Sequence, residues 1–354
     1  MLQKFLATGF AACVCAGAFA QDTTKNGTFT LSGNADVYYR YNFSNPKAAP
    51  YNSITSFTQR HNSFELGMAT VKAEYTKGKA GVVADLGFGQ RAEEFAYNDQ
   101  NTRLAIKQLY VTYAPTSALK FTFGSWATHV GYEVLDPYLN RNYSMSYMFS
   151  FGPFSHTGIK ADIALGGKSA LMLGIANPTD FRTASAAPKT FLAQFSTGSG
   201  NDKLKAYFNF AGGKQSELAK VYQGDIVLTY AASSHFSAGF NGTYQSVTAR
   251  ALPADAWGDA HNWWGSAVYL NFDPTDKFGL TLRTEYVKDK DNAKGFGFDN
   301  VIAPTLSANI KIDEHLTLVP EFRFDSAKEE VFLKSSGAMT KSTGSVLLAA
   351  TYHF

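Results

Sequence analysis

The chain is 354 residues long and has only two cysteines, Cys13 and Cys15, both close to its start. Beyond residue 15 there is no thiol, which excludes disulfides and thiolate metal sites from the rest of the sequence. No run of eighteen apolar residues occurs, which excludes a transmembrane helix. Charge is also scarce: 17% of residues are Asp, Glu, Lys or Arg, where a soluble domain carries about a quarter. The 32 basic and 29 acidic residues leave a net charge of +3, and Lys4 is one of those basic residues. Such balance gives a nucleic-acid role no electrostatic support. What the chain does have is aromatic side chains, 15% of the total. High aromatic content without long apolar runs fits a membrane β-barrel, whose signature is alternation rather than bulk hydropathy.

The first twenty residues read as a secretory signal peptide. Lys4 gives a basic start, Phe5 to Gly17 a largely apolar core, and Ala18-Phe19-Ala20 a small-x-small cleavage site before Gln21. A buried N-terminal helix is one alternative. A lipoprotein signal at Cys13 is another, although Phe10 stands where an aliphatic residue is usual. Removal of residues 1–20 leaves one domain, 21–354, in an exported protein without a disulfide. A closed hydrogen-bonded barrel would supply its rigidity.

Alternation runs through that domain. Leu31, Ala35, Val37, Tyr39, Tyr41 and Phe43 share one strand face, and Asp36 and Arg40 share the other. Ile159, Ala161 and Ile163 oppose Lys160 and Asp162; Leu204, Ala206, Phe208 and Phe210 oppose Lys205. Leu280, Leu282 and Tyr286 oppose Arg283 and Glu285; Leu318, Phe322 and Phe324 oppose Glu321 and Arg323. This is the period-2 pattern of strands with one apolar face. The segments run about 10–13 residues, long enough to cross a bilayer at a tilt and longer than the strands of a soluble sandwich. The apolar face is therefore assigned to lipid and the charged face to the lumen. The final strand follows the rule: Val346, Leu348, Ala350, Tyr352 and Phe354 lie on one face, ending on an aromatic at the membrane boundary.

Short turns near 76–79, 114–117, 166–167, 197–201, 231–234, 273–276 and 313–314 alternate with long loops near 44–61, 91–102, 127–154, 177–188, 212–219, 249–260, 290–300 and 326–342. Tight turns on one side and long loops on the other are the asymmetry of an outer-membrane barrel, here of about sixteen antiparallel strands with both termini periplasmic. That size leaves an aqueous channel. Pro304 and Pro320 fall inside expected strands, and each should mark a bulge or a strand end.

Motifs of other chemistries are weak. Gly167-Lys168-Ser169 lacks the preceding glycine of a phosphate-binding loop and reads as a hairpin turn. The seven histidines show no paired spacing for a metal. Ser155 and His156 are adjacent, so on a strand they point to opposite faces. No catalytic residue, metal or cofactor is expected. Segment 127–154, the third long loop, is different. It carries Tyr132, Glu133, Asp136, Arg141, Tyr143 and Tyr147, and long irregular loops of this kind are usually functional. Two readings stay open: a loop folded into the lumen that constricts the pore, or an external flap or subunit contact.

At this loop the sequence resembles a known family. Gly131-Tyr132-Glu133-Val134, Asp136-Pro137, Asn140, Asn142-Tyr143-Ser144, Ser146-Tyr147, Gly152-Pro153-Phe154 and His156-Thr157-Gly158 are similar to the β-barrel porin 2 (OmpL-like) family of Gram-negative outer membranes. Gln108-Leu109-Tyr110 and Pro320-Glu321-Phe322-Arg323 also fit. The resemblance implies an outer-membrane channel and brings no catalytic residues and no named solute.

The expectation is a passive diffusion porin for small hydrophilic solutes or ions. Pore-lining charges would be Asp36, Arg40, Lys160, Asp162, Lys205, Asp225, Arg283, Glu285, Glu321 and Arg323, holding a transverse field. Tyr132, Glu133, Asp136 and Arg141 would complete a constriction, and Tyr352 and Phe354 would form the assembly signal. Partners would be outer-membrane lipid, the barrel assembly machinery and, by analogy, two further copies in a homotrimer. The alternatives are a non-conducting structural or adhesion barrel with a plugged lumen, and an outer-membrane hydrolase.

Overall fold

The computed structural model describes residues 27–251 and 256–354. The expected signal peptide, 1–20, lies outside these residues. Eighteen strands form: β1 (Thr28–Asn42), β2 (Ser63–Lys77), β3 (Ala80–Phe88), β4 (Ile106–Thr116), β5 (Leu119–Ala127), β6 (Ser155–Gly166), β7 (Ser169–Ala176), β8 (Thr190–Gly198), β9 (Leu204–Ser216), β10 (Ala219–Ala231), β11 (Phe236–Ala251), β12 (Ala256–Thr275), β13 (Phe278–Lys288), β14 (Asn300–Lys311), β15 (Leu316–Ala327), β16 (Phe332–Leu333), β17 (Met339–Thr340) and β18 (Ser342–His353). Sixteen of them close into one antiparallel barrel, each pairing with its sequence neighbour. The short β16 and β17 pair with each other in the connection between β15 and β18.

β18 closes the barrel on β1, in a ladder from Asn34↔His353 to Asn42↔Ser345. The last residue extends the seam: Phe354 donates its N–H to the Gly33 carbonyl at 3.0 Å and accepts from Gly33 N–H at 3.2 Å. Gly33 is required here, since a Cβ would lie 2.4 Å from the Thr70 carbonyl oxygen and 2.8 Å from the Phe354 ring.

Exposure decides which face meets lipid. Phe64 (88%), Leu66 (77%), Phe123 (63%) and Phe191 (62%) stand on the outer face of the ladder, while Asp36, Asp162, Arg283 and Glu321 are buried on the inner face. A water-soluble sandwich would bury the first set, so this surface is matched to hydrocarbon. No helix among the described residues is long and apolar enough to span a membrane.

The seven short turns fall within a few residues of their expected places. Among the described residues, two of the eight expected long loops are largely replaced by strand. Strands β9 and β10 are joined by only Glu217 and Leu218, with Lys220 pairing to Lys214. The β11–β12 ladder continues to Ala251↔Ala256. The expected loop at 212–219, and residues 249–251 and 256–260 of the other, are instead the top of a four-strand wall. Above the bilayer both faces meet water, so the apolar alternation ends while backbone pairing continues. The prolines also correct expectation. Pro304 pairs with Thr284 and Pro320 with Leu348, in unshifted registers. Each interrupts only the β14–β15 ladder locally, where the missing N–H would have donated.

Candidate lumenal site

Two bulges tilt the parity of the wall toward the lumen. Ala35 pairs with Ala69 and Val37 with Leu66, so Gly67 and Met68 both oppose Asp36. Met68 turns inward and its N–H donates to Asp36 at 3.0 Å. In β4, Gln108 pairs with Asp85 and Ile106 with Leu86, leaving Lys107 as the extra residue. The bulge aims its ammonium inward between Asp85 (3.1 Å) and Asp136 (2.7 Å).

Residues 128–154 fold into the barrel. The segment leaves β5 at the loop end and runs along the opposite wall. His129 meets the Phe210 carbonyl of β9 at 3.1 Å, and Gly131 N–H donates to Asp225 of β10 at 3.1 Å. Tyr132 stacks on Tyr269 of β12 with centroids 3.9 Å apart. The stack needs Gly239, where a Cβ would sit 2.4 Å from the Tyr132 ring. The chain then descends to the short-turn end. Asp136 accepts from Asn34, Tyr138 stacks on His353 at 4.6 Å, and the Arg141 guanidinium grips Asp273 and donates to Thr281 at 2.7 Å.

The return leg is clamped by the charged wall of β13–β15 and β1. Glu321 accepts from Tyr143 N–H at 2.9 Å, and Asp36 accepts from the Tyr143 hydroxyl. Arg283 donates to Glu133 at 2.6 Å and to the Ser144 carbonyl at 2.7 Å. Glu285 accepts from Tyr147 N–H at 2.8 Å, Arg323 donates to the Met145 carbonyl at 2.7 Å, and Asp325 accepts from the Tyr147 hydroxyl at 3.0 Å. A short helix, α2 (Tyr147–Phe151), starts at Ser146, whose hydroxyl caps Phe149 N–H at 3.1 Å. Thus one segment touches the wall on nearly every side and over nearly its full height.

Other loops join it. Helix α1 (Gln90–Phe95) places Arg91, fully buried, with its guanidinium 4.8 Å from the Phe57 ring centroid and 4.9 Å from that of Tyr143. Phe57, Met68, Phe95, Leu135, Met145 and Phe154 pack into one apolar cluster inside the barrel. Tyr147, Met148, Trp263, Phe296 and Phe298 belong to a second. Arg40 is held by the Tyr51, Asn52 and Arg60 carbonyls of the first loop.

Of the ten expected lumenal charges, nine are buried on the inner wall. Lys205 alone is exposed, at the short-turn rim. Seven of the nine hold loops: Asp36, Asp225, Arg283, Glu285, Glu321 and Arg323 bind segment 128–154, and Arg40 binds the first loop. Lys160 and Asp162 pair with each other at 3.5 Å, with Lys120 at 3.8 Å from Asp162. Tyr132, Glu133, Asp136 and Arg141 all lie inside the barrel. Alternation did not reveal Lys107, since a bulge breaks the parity, nor Arg91, which sits on a loop helix. Asp180, between β7 and β8, was also missed. It accepts from Phe154 and Ser155 N–H, each at 2.7 Å, and from the Tyr97 hydroxyl at 3.0 Å. Burial raises its pKa to about 6 against those donors.

Comparison with known proteins agrees with this architecture. No curated protein matches the chain. Among solved structures, it resembles the outer membrane channel DcaP of Acinetobacter baumannii, at 12% identity and a TM-score of 0.62, covering 94% of this chain and 99% of that one. It also resembles an anion-selective porin from Comamonas acidovorans, at 12% identity, TM-score 0.61 and 93% and 100% coverage. Salmonella typhi OmpF, in complex with daunomycin, gives 11%, 0.58, and 93% and 98%. At these identities the likeness concerns the fold. The sequence itself matches a family model described as "Putative beta-barrel porin-2, OmpL-like" over residues 28–354, essentially the whole described barrel, and the chain therefore belongs to that family of outer-membrane porins.

Proposed function

We propose that this porin passes small hydrophilic solutes passively, and that segment 128–154 sets how much passes. The observation that supports this is the inward fold of that segment, held by wall charges from Asp36 to Arg323. The charges then divide by role. Those bound to the segment fix its shape, while Lys120, Lys160 and Asp162 belong to a separate lumenal cluster on β5 and β6. We assign no catalytic role: the His156 ring meets the Thr128 hydroxyl at 3.0 Å. The test is planar-bilayer recording of the purified protein. Discrete but small conductance steps are expected, well below those of a sixteen-stranded barrel with an open lumen. A second reading, the non-conducting structural barrel, draws on the reach of the segment to Tyr138–His353 and Arg141–Asp273. Complete absence of steps would favour it.

The signal peptide, the membrane partners and the aromatic terminus complete the reading. Outer-membrane lipid covers the apolar face, the assembly machinery receives Tyr352 and Phe354, and the porin is a homotrimer. Tyr352 and Phe354 are 45% and 55% exposed, so their rings are available to a partner. Phe354→Ser is expected to cut the amount of folded barrel in outer membranes several-fold, read as heat-modifiable protein; normal amounts would remove the terminus from assembly. In the same membranes the wild-type chain should begin at Gln21 and migrate as a trimer after mild extraction.

A further inference from the structure

At the outer mouth the inward-folded loops leave a cavity of about 500 Å³. Phe151 and Phe154, at the end of segment 128–154, and Phe181 give it apolar surface. Gln215, Gln223 and Gln245 line it from strands β9–β11. All three amides are fixed: Gln245 donates to Gln223 at 2.8 Å and accepts from the Trp263 indole N–H at 3.0 Å, and Gln215 accepts from Thr179 N–H at 2.7 Å and donates to the Thr190 hydroxyl at 3.2 Å.

Three charged groups border the space: Glu94, Asp180 and Lys294. Asp180 is spent on structure, as its two oxygens accept from Phe154, Ser155 and Tyr97. Glu94 accepts from Phe57 N–H at 2.7 Å and from the Gln90 amide at 2.9 Å, but no cation pairs with it among the described residues. Lys294 comes from the loop between β13 and β14. Its backbone N–H is bound by Asp289, yet its ammonium has no hydrogen-bond or ion-pair partner among the described residues. Burial also lowers its pKa to about 8, and the attraction of Asp180 and Asp289 offsets that desolvation only in part.

We propose that this cavity binds small zwitterionic solutes of the amino-acid class with an apolar or planar body, as the first station of the channel. Lys294 receives the carboxylate, Glu94 receives the ammonium, and the phenyl rings hold the body between them. A plain anion would meet Glu94 and Asp180, and a plain cation would meet Lys294; a zwitterion satisfies both ends. The volume lies in the range that encloses a ligand of this size with some water. The inference rests on the channel reading for its purpose, but binding and conduction are separate measurements.

The test uses detergent-solubilised full-length porin and three probes: L-phenylalanine, phenethylamine without the carboxylate, and phenylacetate without the ammonium. Calorimetry or saturation-transfer NMR should show L-phenylalanine bound roughly tenfold more tightly than either single-charge probe, as one lost partially desolvated charge contact would give. Lys294→Gln should bring L-phenylalanine down to the level of phenethylamine, and Glu94→Gln down to that of phenylacetate. Equal affinity for the three probes, no binding at millimolar concentration, or full affinity in Lys294→Gln would overturn the site. Conductance steps without binding would sink this inference and leave the channel standing. Binding without steps would keep the site and sink the channel.

Discussion

Replacing residues 132–147 with a short Gly-Ser linker is expected to raise single-channel conductance several-fold while the barrel still forms. The wall does not depend on the segment for its hydrogen bonds: sixteen strands pair in a closed ring, and the ladders use backbone groups alone. The segment occupies the space a sixteen-stranded barrel would otherwise leave to water. The contacts of 132–147 run from Tyr269 on one side to Asp36 and Glu321 on the other, and down to Asp273 and His353. Once it is removed, Arg283, Glu285, Glu321 and Arg323 face solvent instead of the packed segment, so the wall keeps its charge without an unpaired buried group. Heat-modifiable migration of the variant would confirm a folded barrel. A folded variant with wild-type conductance would mean that solute does not pass this segment at all.

Much of the architecture is legible in the sequence because a lipid-facing wall must alternate. A charge such as Asp36 or Arg283 cannot face hydrocarbon, so parity alone sorts inner from outer residues across β1, β6, β13 and β15. The strand number follows from the turns, which are short wherever neighbouring strands meet on the terminus side. Three things escape this reasoning. Beyond the membrane the constraint vanishes, and the tops of β9–β12 look like loops because both their faces are polar. A bulge adds one residue and reverses parity, which hid Met68 and Lys107. The inward fold of segment 128–154 depends on partners far away in sequence, such as Tyr143 with Glu321, and no local pattern encodes that pairing. Its density of Tyr, Glu and Arg marked it as a segment with partners without saying which side of the barrel they were on.

Arg283→Met should release the segment without removing it. Arg283 is fully buried, and its guanidinium serves Glu133 at 2.6 Å, the Ser144 carbonyl at 2.7 Å and Thr305 at 3.1 Å. Met keeps most of the volume and none of the donors. Glu133 would then keep only Ser146 N–H at 2.8 Å and the Tyr269 hydroxyl at 3.2 Å. Breaking one partner of a buried ion pair costs on the order of 3 kcal/mol or more, chiefly through the charge left behind. The sixteen-strand ring does not contain that contact, so the cost falls on the docked state of the segment. Expected results are faster proteolytic cleavage within 128–154 and a noisier, larger conductance. The double variant Arg283→Met/Glu133→Gln removes both charges and should recover much of the quiet wild-type behaviour, because a neutral amide tolerates the site far better than an unpaired carboxylate. Two results would count against the clamp: a quiet Arg283→Met channel, or a double variant at least as noisy as Arg283→Met alone. Recovery in the double variant would separate the two jobs of the wall charges. It would show that the pair between Arg283 and Glu133 holds the segment through charge balance, and that the shape of the segment, once held, is what limits passage.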